Sequence, residues 1–291
     1  MATIPDQPNS AGLRRDLDIL DVLASDECRR RGGLGVVRIA ERLGRENSQV
    51  SRALRALAAA GMVERDPHTL DYRLGWRLYS YAARTYEALL VHVAAPFVRR
   101  LVATLHETGH LCVHRGNQLL TLWTENAAGV VSPPTWDGVS VPVVSSSAGR
   151  VLLSDWDTAT LRTWFSDADL AGSGPRPRIV TVDELITELA RIRQRGYGVV
   201  RDEFEVGVVG CSAPVRDHRG RVVAAVTVSA PTARLGAVLD KAGRLTARCA
   251  ADISAALKQT LQPTGPASPV GPSPSATPAG PGTPASPAPS P

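Results

Sequence analysis

The sequence has few of the residues on which several protein classes depend. Only four cysteines occur in 291 residues, and none forms a CxxC pair, a pattern that argues against a disulfide framework and a thiolate zinc site. Aromatic residues make up 4% of the chain, so a core must rest on Val, Leu, Ile and Ala. We find no apolar run of about 18 residues and no apolar signal-peptide core at the N-terminus. We therefore expect a cytoplasmic protein without a membrane span.

Positive charge is abundant and unevenly placed. The net charge is +5, and only two of the 33 basic residues, Lys241 and Lys258, are lysine. Residues 28–55 alone contain eight arginines against Glu41 and Glu46, a local net charge of +6. Because this local excess is larger than the charge of the whole chain, the positive field is concentrated near the N-terminus, as in nucleic-acid-binding proteins.

The last part of the chain differs in composition from the rest. Residues 263–291 contain eleven of the 22 prolines and no charged or aromatic residue. Such a segment cannot bury enough apolar surface to offset its ordering entropy, so we expect an extended, disordered tail. Its PxxP spacings match ligands of proline-binding domains, but such matches are expected by chance in so proline-rich a tract.

The spacing of apolar residues before residue 75 predicts short helices followed by a hairpin. A first helix begins near Leu13, and the stretch Arg29–Gly35 interrupts it. A second helix covers residues 36–43 and ends at Gly44, and a third begins with Asn47 as N-cap and ends before residue 61. Short strands are expected at 62–64 and 72–74. Two helices joined by a turn that contains Gly44 form a helix-turn-helix.

The third predicted helix has two different faces. Val50, Leu54 and Leu57 form an apolar stripe. A polar stripe lies roughly 200° away at 3.6 residues per turn, and it consists of Ser48, Ser51, Arg52 and Arg55. Arginine bonds guanine edges, and Ser, Asn and Gln bond phosphates or bases. The hairpin, with Arg65, His68 and Arg73, would touch the DNA backbone as a wing. The helix and the wing together predict DNA contacts by Asn47, Ser48, Gln49, Ser51, Arg52, Arg55, Arg65 and Arg73.

An alternative interpretation is that the arginines only solvate one face of a three-helix bundle. The turn glycine, the capped third helix, the hairpin and the charge concentration occur in the order of a winged helix, which favours DNA binding. After residue 75 the sequence predicts a helix from Trp76 to His92, a second helix from Phe97 to Thr108, and then strands mixed with helices. This order is typical of an α+β domain.

The sequence resembles the IclR family of bacterial transcription regulators. The resemblance runs through RIAERLGRENSQVSRALRAL, GMVERD and YRLG near the N-terminus, and through SSAGRVLL, RGYGVVRDEFEVGVVGCSAPVRD and GRVVAAVTVSAP later. It implies a winged helix-turn-helix, a dimerising linker helix and a GAF-like effector domain for small organic molecules, often carboxylates. It also implies homodimers or dimers of dimers on palindromic operators. The expected segments are 11–75 (winged helix), 76–94 (linker helix), 95–262 (GAF-like α/β effector domain) and 263–291 (tail).

The resemblance also implies an effector pocket. Carried over by position, its residues are Ser145, Ser146, Gly149, Glu203, Gly210, Cys211, Thr227 and Ser229. The chain departs from the family pattern at Gly210, where Cys or Ser is usual, and at Ala230, where Gly is usual. These differences bear on which effector fits, since hydroxyls and the amides of a glycine-containing loop can bind a carboxylate.

Two other classes of function fit parts of the sequence. His106–His110 reads HETGH, which matches the HExxH pattern of zinc hydrolases, but Gly109 and the strand-like residues after it would separate the two histidines. A small-molecule sensor that acts through protein contacts would show no salt-sensitive DNA binding. We predict a ligand-responsive transcription regulator without catalytic residues, metal or cofactor.

For Trp123, Trp136, Trp156 and Trp164 we favour core positions over a pocket.

Overall fold

The computed structural model describes residues 10–127 and 136–261. The predicted disordered tail at 263–291 lies outside the described residues. All four cysteines are buried and free, as their wide spacing suggested.

The N-terminal unit contains four helices and a hairpin. Their bounds are α1 Ser10–Leu23, α2 Asp26–Arg31, α3 Val36–Leu43, α4 Asn47–Ala59, β1 Val63–Arg65 and β2 Tyr72–Leu74. Gly44 ends α3 at φ +61°, a left-handed conformation that glycine adopts without steric cost. The strands pair antiparallel, with Glu64 opposite Arg73, so the predicted helix-turn-helix and wing are both present.

Two local predictions are wrong. Arg29–Arg31 do not interrupt the helical region from a loop, because they form the second half of α2, whose N-cap Ser25 accepts a hydrogen bond from Cys28 N. Asn47 is the first residue of α4 rather than its cap, and Glu46 holds the cap position without a side-chain hydrogen bond. Both errors arise because composition alone does not determine where a first turn closes.

The core of this unit is aliphatic. It contains Ile19, Leu23, Cys28, Leu34, Ile39, Ala40, Val50, Leu54, Val63 and Tyr72. Leu13 and Leu17, which share the helical spacing of α1, are instead 64% and 48% exposed. Helix α4 therefore packs on the unit through its apolar stripe, which leaves its polar stripe to solvent.

Two helices lead into the second unit, with a break that differs from the predicted one. The bounds are α5 Trp76–Ala82 and α6 Tyr86–Leu105. The break lies just before Tyr86, where Thr85 caps α6 by accepting a hydrogen bond from Ala88 N. Pro96 lies inside α6 instead of starting a new helix, because its neighbours on both sides pack against the core and hold the helix together.

Helix α6 also bears on the membrane expectation. Of the helices in the described residues, α6 alone is long and apolar enough to cross a membrane, with a mean hydropathy of 1.5. Core helices pass the same test, and Leu90, Ala94 and Val98 of α6 are buried in the core of the second unit. The sequence expectation missed this stretch because Glu87, His92, Arg99 and Arg100 interrupt its apolar run.

The second unit is built on one antiparallel sheet of six strands in the order β5-β4-β3-β8-β7-β6. The strands are β3 Thr108–Arg115, β4 Gln118–Glu125, β5 Ser140–Pro142, β6 Gly198–Arg201, β7 Val208–Arg216 and β8 Val222–Pro231. The helices are α7 Ser147–Leu152, α8 Thr158–Trp164, α9 Asp167–Ala171, α10 Val182–Arg195, α11 Thr232–Leu235 and α12 Leu239–Leu261. The predicted α+β, GAF-like architecture is confirmed.

Helices cover both faces of this sheet. On one face α6 and α12 pack against Val209, Cys211 and Val228 in one apolar cluster. On the other face α7 and α10 pack in a second cluster that includes Cys112 and Ala225. Because side chains alternate along a strand, residues 210, 212, 227 and 229 face the α7 side.

Candidate DNA interface and effector cavity

Helix α4 presents its predicted polar stripe outward. Val50 and Leu54 are 1% and 0% exposed, whereas Ser48, Arg52 and Arg55 are exposed and Ser51 is half-buried. Asn47 and Gln49, in the first turn, are exposed as well. The amphipathic pattern therefore places hydroxyls and guanidiniums on one accessible face, as a helix that lies in a major groove requires.

Ion pairs distinguish the arginines of this unit from one another. Glu27 on α2 pairs with three of them, and the Arg38 Nε–Glu27 Oε1 distance is 3.0 Å. Five of the eight arginines in 28–55 are paired within the unit: Arg29, Arg31, Arg38, Arg42 and Arg45. In the described part of the chain, Arg30, Arg52 and Arg55 form no ion pair. Two of these three lie on α4, so the guanidiniums available to a partner are concentrated there.

The wing carries two of the predicted DNA contacts. Arg65 is exposed, and its guanidinium lies 5.5 Å from the centre of the Tyr72 ring. Arg73 is exposed and bonds Glu64 Oε2 across the hairpin at 3.1 Å. Arg65 donates through Nε to Leu70 O at 3.4 Å but forms no ion pair in the described part of the chain, whereas Arg73 would have to share its charge with Glu64.

A cavity of about 360 Å³ lies between the sheet and α7. Its volume is near the lower end of the usual range for small-molecule sites. Polar lining residues include Thr108, His110, Thr121, Thr124, Asn126, Ser146, Ser147, Glu205, Thr227, Ser229 and Arg234; apolar ones include Leu119, Trp136, Val141, Phe204 and Val208. A small, partly apolar molecule with a few hydrogen-bonding groups suits this space.

The structure brings half of the residues implied by the resemblance to this cavity. Ser146, Gly210, Thr227 and Ser229 line it. The other four do not, and each has a clear position elsewhere. Ser145 donates to Pro142 O, Glu203 pairs with Arg150, and Cys211 lies on the opposite sheet face beside Thr246. Gly149 packs so closely that a Cβ there would lie 1.5 Å from Val143 O.

Hydrogen-bonded polar side chains line the inner wall of the cavity. His110 Nε2 lies 3.0 Å from Ser229 Oγ, and His110 Nδ1 lies 3.2 Å from Thr124 Oγ1. A second chain joins Ser147 Oγ, Ser212 Oγ and Thr227 Oγ1 at 2.7 and 2.8 Å. Since each hydroxyl has one donor and two acceptor positions, these chains keep capacity for a ligand.

The HETGH segment does not form a zinc site. His106 is exposed and ends α6 in a left-handed conformation, whereas His110 is buried in strand β3. Glu107, the residue that would act as base, accepts two hydrogen bonds of 2.8 Å from Arg234. No cluster of three metal-ligating side chains occurs within residues 10–127 and 136–261. The motif therefore lacks the helical context that its chemistry needs.

Burial lowers the pKa of His110 to about 4. The unfolded chain binds this proton near pH 6.5, so stability falls as pH drops from 6.5 towards 4, by about 3 kcal/mol in full. We expect His110→Asn to remove this part of the pH dependence, measured by urea unfolding between pH 7 and 4.5. His218→Asn, at an exposed histidine, is the control and should keep the wild-type slope. Equal slopes for all three proteins would contradict the assignment.

Several cavity residues were not identified from the sequence. Trp136, for which a core position was expected, lines the cavity beside Phe204, with ring centres 5.7 Å apart. His110 and Arg234 lie 119 and 5 residues from Ser229 along the chain, and only strand pairing brings His110 to it. The alternation of polar residues at 108, 110 and 227, 229 was the one available signal.

Both units match domains of one known protein family. Residues 12–67 match the IclR helix-turn-helix domain, and residues 83–255 match the C-terminal domain of the bacterial transcriptional regulator IclR. The chain is 31% identical over 237 residues to the HTH-type transcriptional regulator BhcR of Paracoccus denitrificans, covering 78% of this chain and 81% of that protein. It is 28% identical over 255 residues to the transcriptional repressor AllR of Escherichia coli, covering 86% and 92%.

A solved structure shares the fold. An IclR homologue from Microbacterium hydrocarbonoxydans, complexed with 4-hydroxybenzoate, has a TM-score of 0.72 and 24% identity, covering 84% of this chain and 98% of that one. The sequence matches extend through both the helix-turn-helix and the sheet domain, and the C-terminal match alone spans more than half of the chain. This chain therefore belongs to the IclR family of bacterial transcriptional regulators.

Proposed function

We propose that this protein binds operator DNA through α4 and the wing and responds to a small organic effector in the sheet cavity. The observation that carries the first part is the contrast among arginines. Five of the six that precede α4 in residues 28–55 are paired with acids, Arg30 being the exception, whereas both arginines of α4, Arg52 and Arg55, form no ion pair among the described residues. The proposed DNA contacts remain Asn47, Ser48, Gln49, Ser51, Arg52, Arg55, Arg65 and Arg73.

The effector is proposed to be a small organic carboxylate. The related Microbacterium protein was solved with 4-hydroxybenzoate, and the cavity here has a volume suited to a molecule of modest size. Its hydroxyls and His110 offer neutral hydrogen-bonding groups, and Arg234, which is paired with Glu107, also lines the cavity. The direct contacts we propose are Ser146, Gly210, Thr227 and Ser229.

The proposed mechanism couples the two units through α5 and α6. Effector binding would change the relative placement of the two winged helices of a homodimer, or of a dimer of dimers, and so alter the fit to palindromic half-sites. Such coupling is worth about 1–3 kcal/mol in typical regulators. We propose a cytoplasmic regulator rather than an enzyme, since known relatives are named as transcriptional regulators and repressors.

A mobility-shift assay tests this function. The full chain is titrated onto the DNA upstream of its own gene and its neighbours, with and without a panel of small organic acids. We expect specific, salt-sensitive binding that one acid shifts by about tenfold. A protein that binds no duplex at any salt concentration would instead support a sensor that acts through protein contacts.

The effector cavity yields a separate expected result. Ser229→Leu fills the space beside His110, so we expect effector affinity to fall about tenfold or more, while operator affinity without effector stays within twofold. Calorimetry with the responsive acid and mobility shift measure the two quantities. Thr163→Leu, at an exposed position of α8 outside the cavity lining, is the control. Equal losses of effector affinity in both variants would remove Ser229 from the site.

A further inference from the structure

Glu203 is buried next to the cavity without lining it. Its carboxylate and the Arg150 guanidinium are paired through two hydrogen bonds, Arg150 Nη1 to Oε1 at 3.2 Å and Nη2 to Oε2 at 2.6 Å. Both side chains are about 95% buried, at 4% and 5% exposure. A buried pair of this kind contributes little net stability, because desolvation offsets the Coulomb attraction. We therefore attribute to the pair a role in holding one conformation of the segments that it connects.

The pair joins two segments that line the cavity. Arg150 lies on α7, whose neighbouring residues Ser146 and Ser147 line one wall. Glu203 directly precedes Phe204 and Glu205, which also line the cavity. Phe204 is half-buried and Glu205 is exposed, so we place these two residues at the mouth of the cavity. Arg150 Nε also donates to Val144 O at 3.1 Å. The position of Phe204 relative to α7 is thus set through one buried contact.

A third segment is held by the same carboxylate. Arg178 N donates to Glu203 Oε2 at 3.1 Å, and Gly174 approaches so closely that a Cβ there would lie 2.4 Å from Glu203 O. At the start of the loop, Asp202 has φ +60° and its carboxylate accepts from Gly207 N at 2.8 Å. These bonds leave the loop at 202–207 little freedom to move while the pair is intact.

We propose that Arg150 and Glu203 are positioning residues that set the width of the cavity mouth through Phe204, and thereby the largest effector that enters. This inference rests on the proposed effector function of the cavity. It gives Glu203 a role different from the one implied by the resemblance, since Glu203 acts through the loop and does not touch the effector. Without the pair, Phe204 and Trp136 can separate from α7, and larger acids become ligands.

The test compares two acids of different length by calorimetry on the full chain. The probes are 4-hydroxybenzoate and 4′-hydroxybiphenyl-4-carboxylate, which carry the same end groups. We expect the wild type to bind the shorter acid about tenfold or more tightly than the longer one. Arg150→Met with Glu203→Leu removes both charges together, which a buried site tolerates better than the loss of one. We expect this double variant to abolish or reverse the ratio.

The control removes an exposed ion pair outside the cavity lining. Arg162→Met with Asp183→Leu eliminates the pair between α8 and α10, whose side chains are 53% and 76% exposed, and should keep the wild-type ratio. If the double variant of the buried pair does not fold, Phe204→Ala takes its place, because it widens the same mouth and should also admit the longer acid.

Two results would overturn the proposal. One is an unchanged ratio in the folded double variant or in Phe204→Ala, and the other is a wild type that binds both acids equally or binds neither. A wild type that does not distinguish the two acids but still binds the operator would overturn this inference and leave the DNA-binding function in place. A wild type that prefers the shorter acid but shifts no operator DNA would overturn the DNA-binding function alone, so the two proposals can fail separately.

Discussion

Replacing Arg52 and Arg55 together by alanine is expected to lower operator affinity about a thousandfold while the protein stays folded. Each guanidinium that bonds a guanine edge contributes about 1–3 kcal/mol, and two such contacts together account for about 4 kcal/mol. Both side chains are exposed on α4, and the buried stripe with Val50 and Leu54 is untouched. Mobility shift on the operator measures the loss, and circular dichroism with thermal melting checks the fold.

The matched control removes the same charge from the other unit. Arg191→Ala with Arg244→Ala changes two arginines whose side chains are 67% and 65% exposed in the effector domain, and we expect operator affinity to change by less than about threefold. On a random duplex, the α4 variant should lose much less than on the operator, since base contacts carry the specificity. Equal losses on both duplexes would mean that α4 contacts only the phosphate backbone.

Gly149→Ala is expected to destabilise the effector domain by about 4 kcal/mol or more. A Cβ at this position would lie 1.5 Å from Val143 O and 2.5 Å from Val143 C. Because these are backbone atoms of the turn before α7, no side-chain rotation relieves the overlap. For a domain of this size the loss corresponds to a fall in Tm of about 8–16 °C, measured by calorimetry or thermal unfolding.

A second glycine in the same domain supplies the control. At Gly172 a Cβ would meet only Ala168 O at 3.5 Å, an ordinary van der Waals distance, and the backbone φ is −91°. Gly172→Ala should therefore leave stability within about 1 kcal/mol of the wild type. Similar melting temperatures for the two variants would show that α7 can move away from the Val143 backbone at little cost.

The predictions that succeeded depend on local periodicity. The spacing of Val50 and Leu54 predicted which face of α4 is buried, and the turn at Gly44 predicted the helix-turn-helix. The short strands around Asp66 were predicted to within one residue. Each of these features depends on residues a few positions apart, so the pattern along the chain was sufficient to identify it.

The predictions that failed concern where a helix begins or breaks and which face of the sheet a residue occupies. Arg29–Arg31 were placed in a loop, yet Asp26 and Glu27 complete a short helix there. Pro96 was taken as a helix start, yet packing on both sides keeps it inside α6. In the pocket, neighbours 210 and 211 were both named as effector contacts, but adjacent residues of a strand face opposite sides of the sheet.

The sequence by itself determined the winged helix, the apolar and polar faces of α4 and the α+β character of the second unit, because helical periodicity and turn residues act over a few positions. Only the tertiary structure decided which arginines are already paired, that His110 meets Ser229 across the sheet, and that Glu203 faces Arg150 instead of the cavity. These outcomes depend on strand register and on the choice among competing partners, which is made when distant segments pack together.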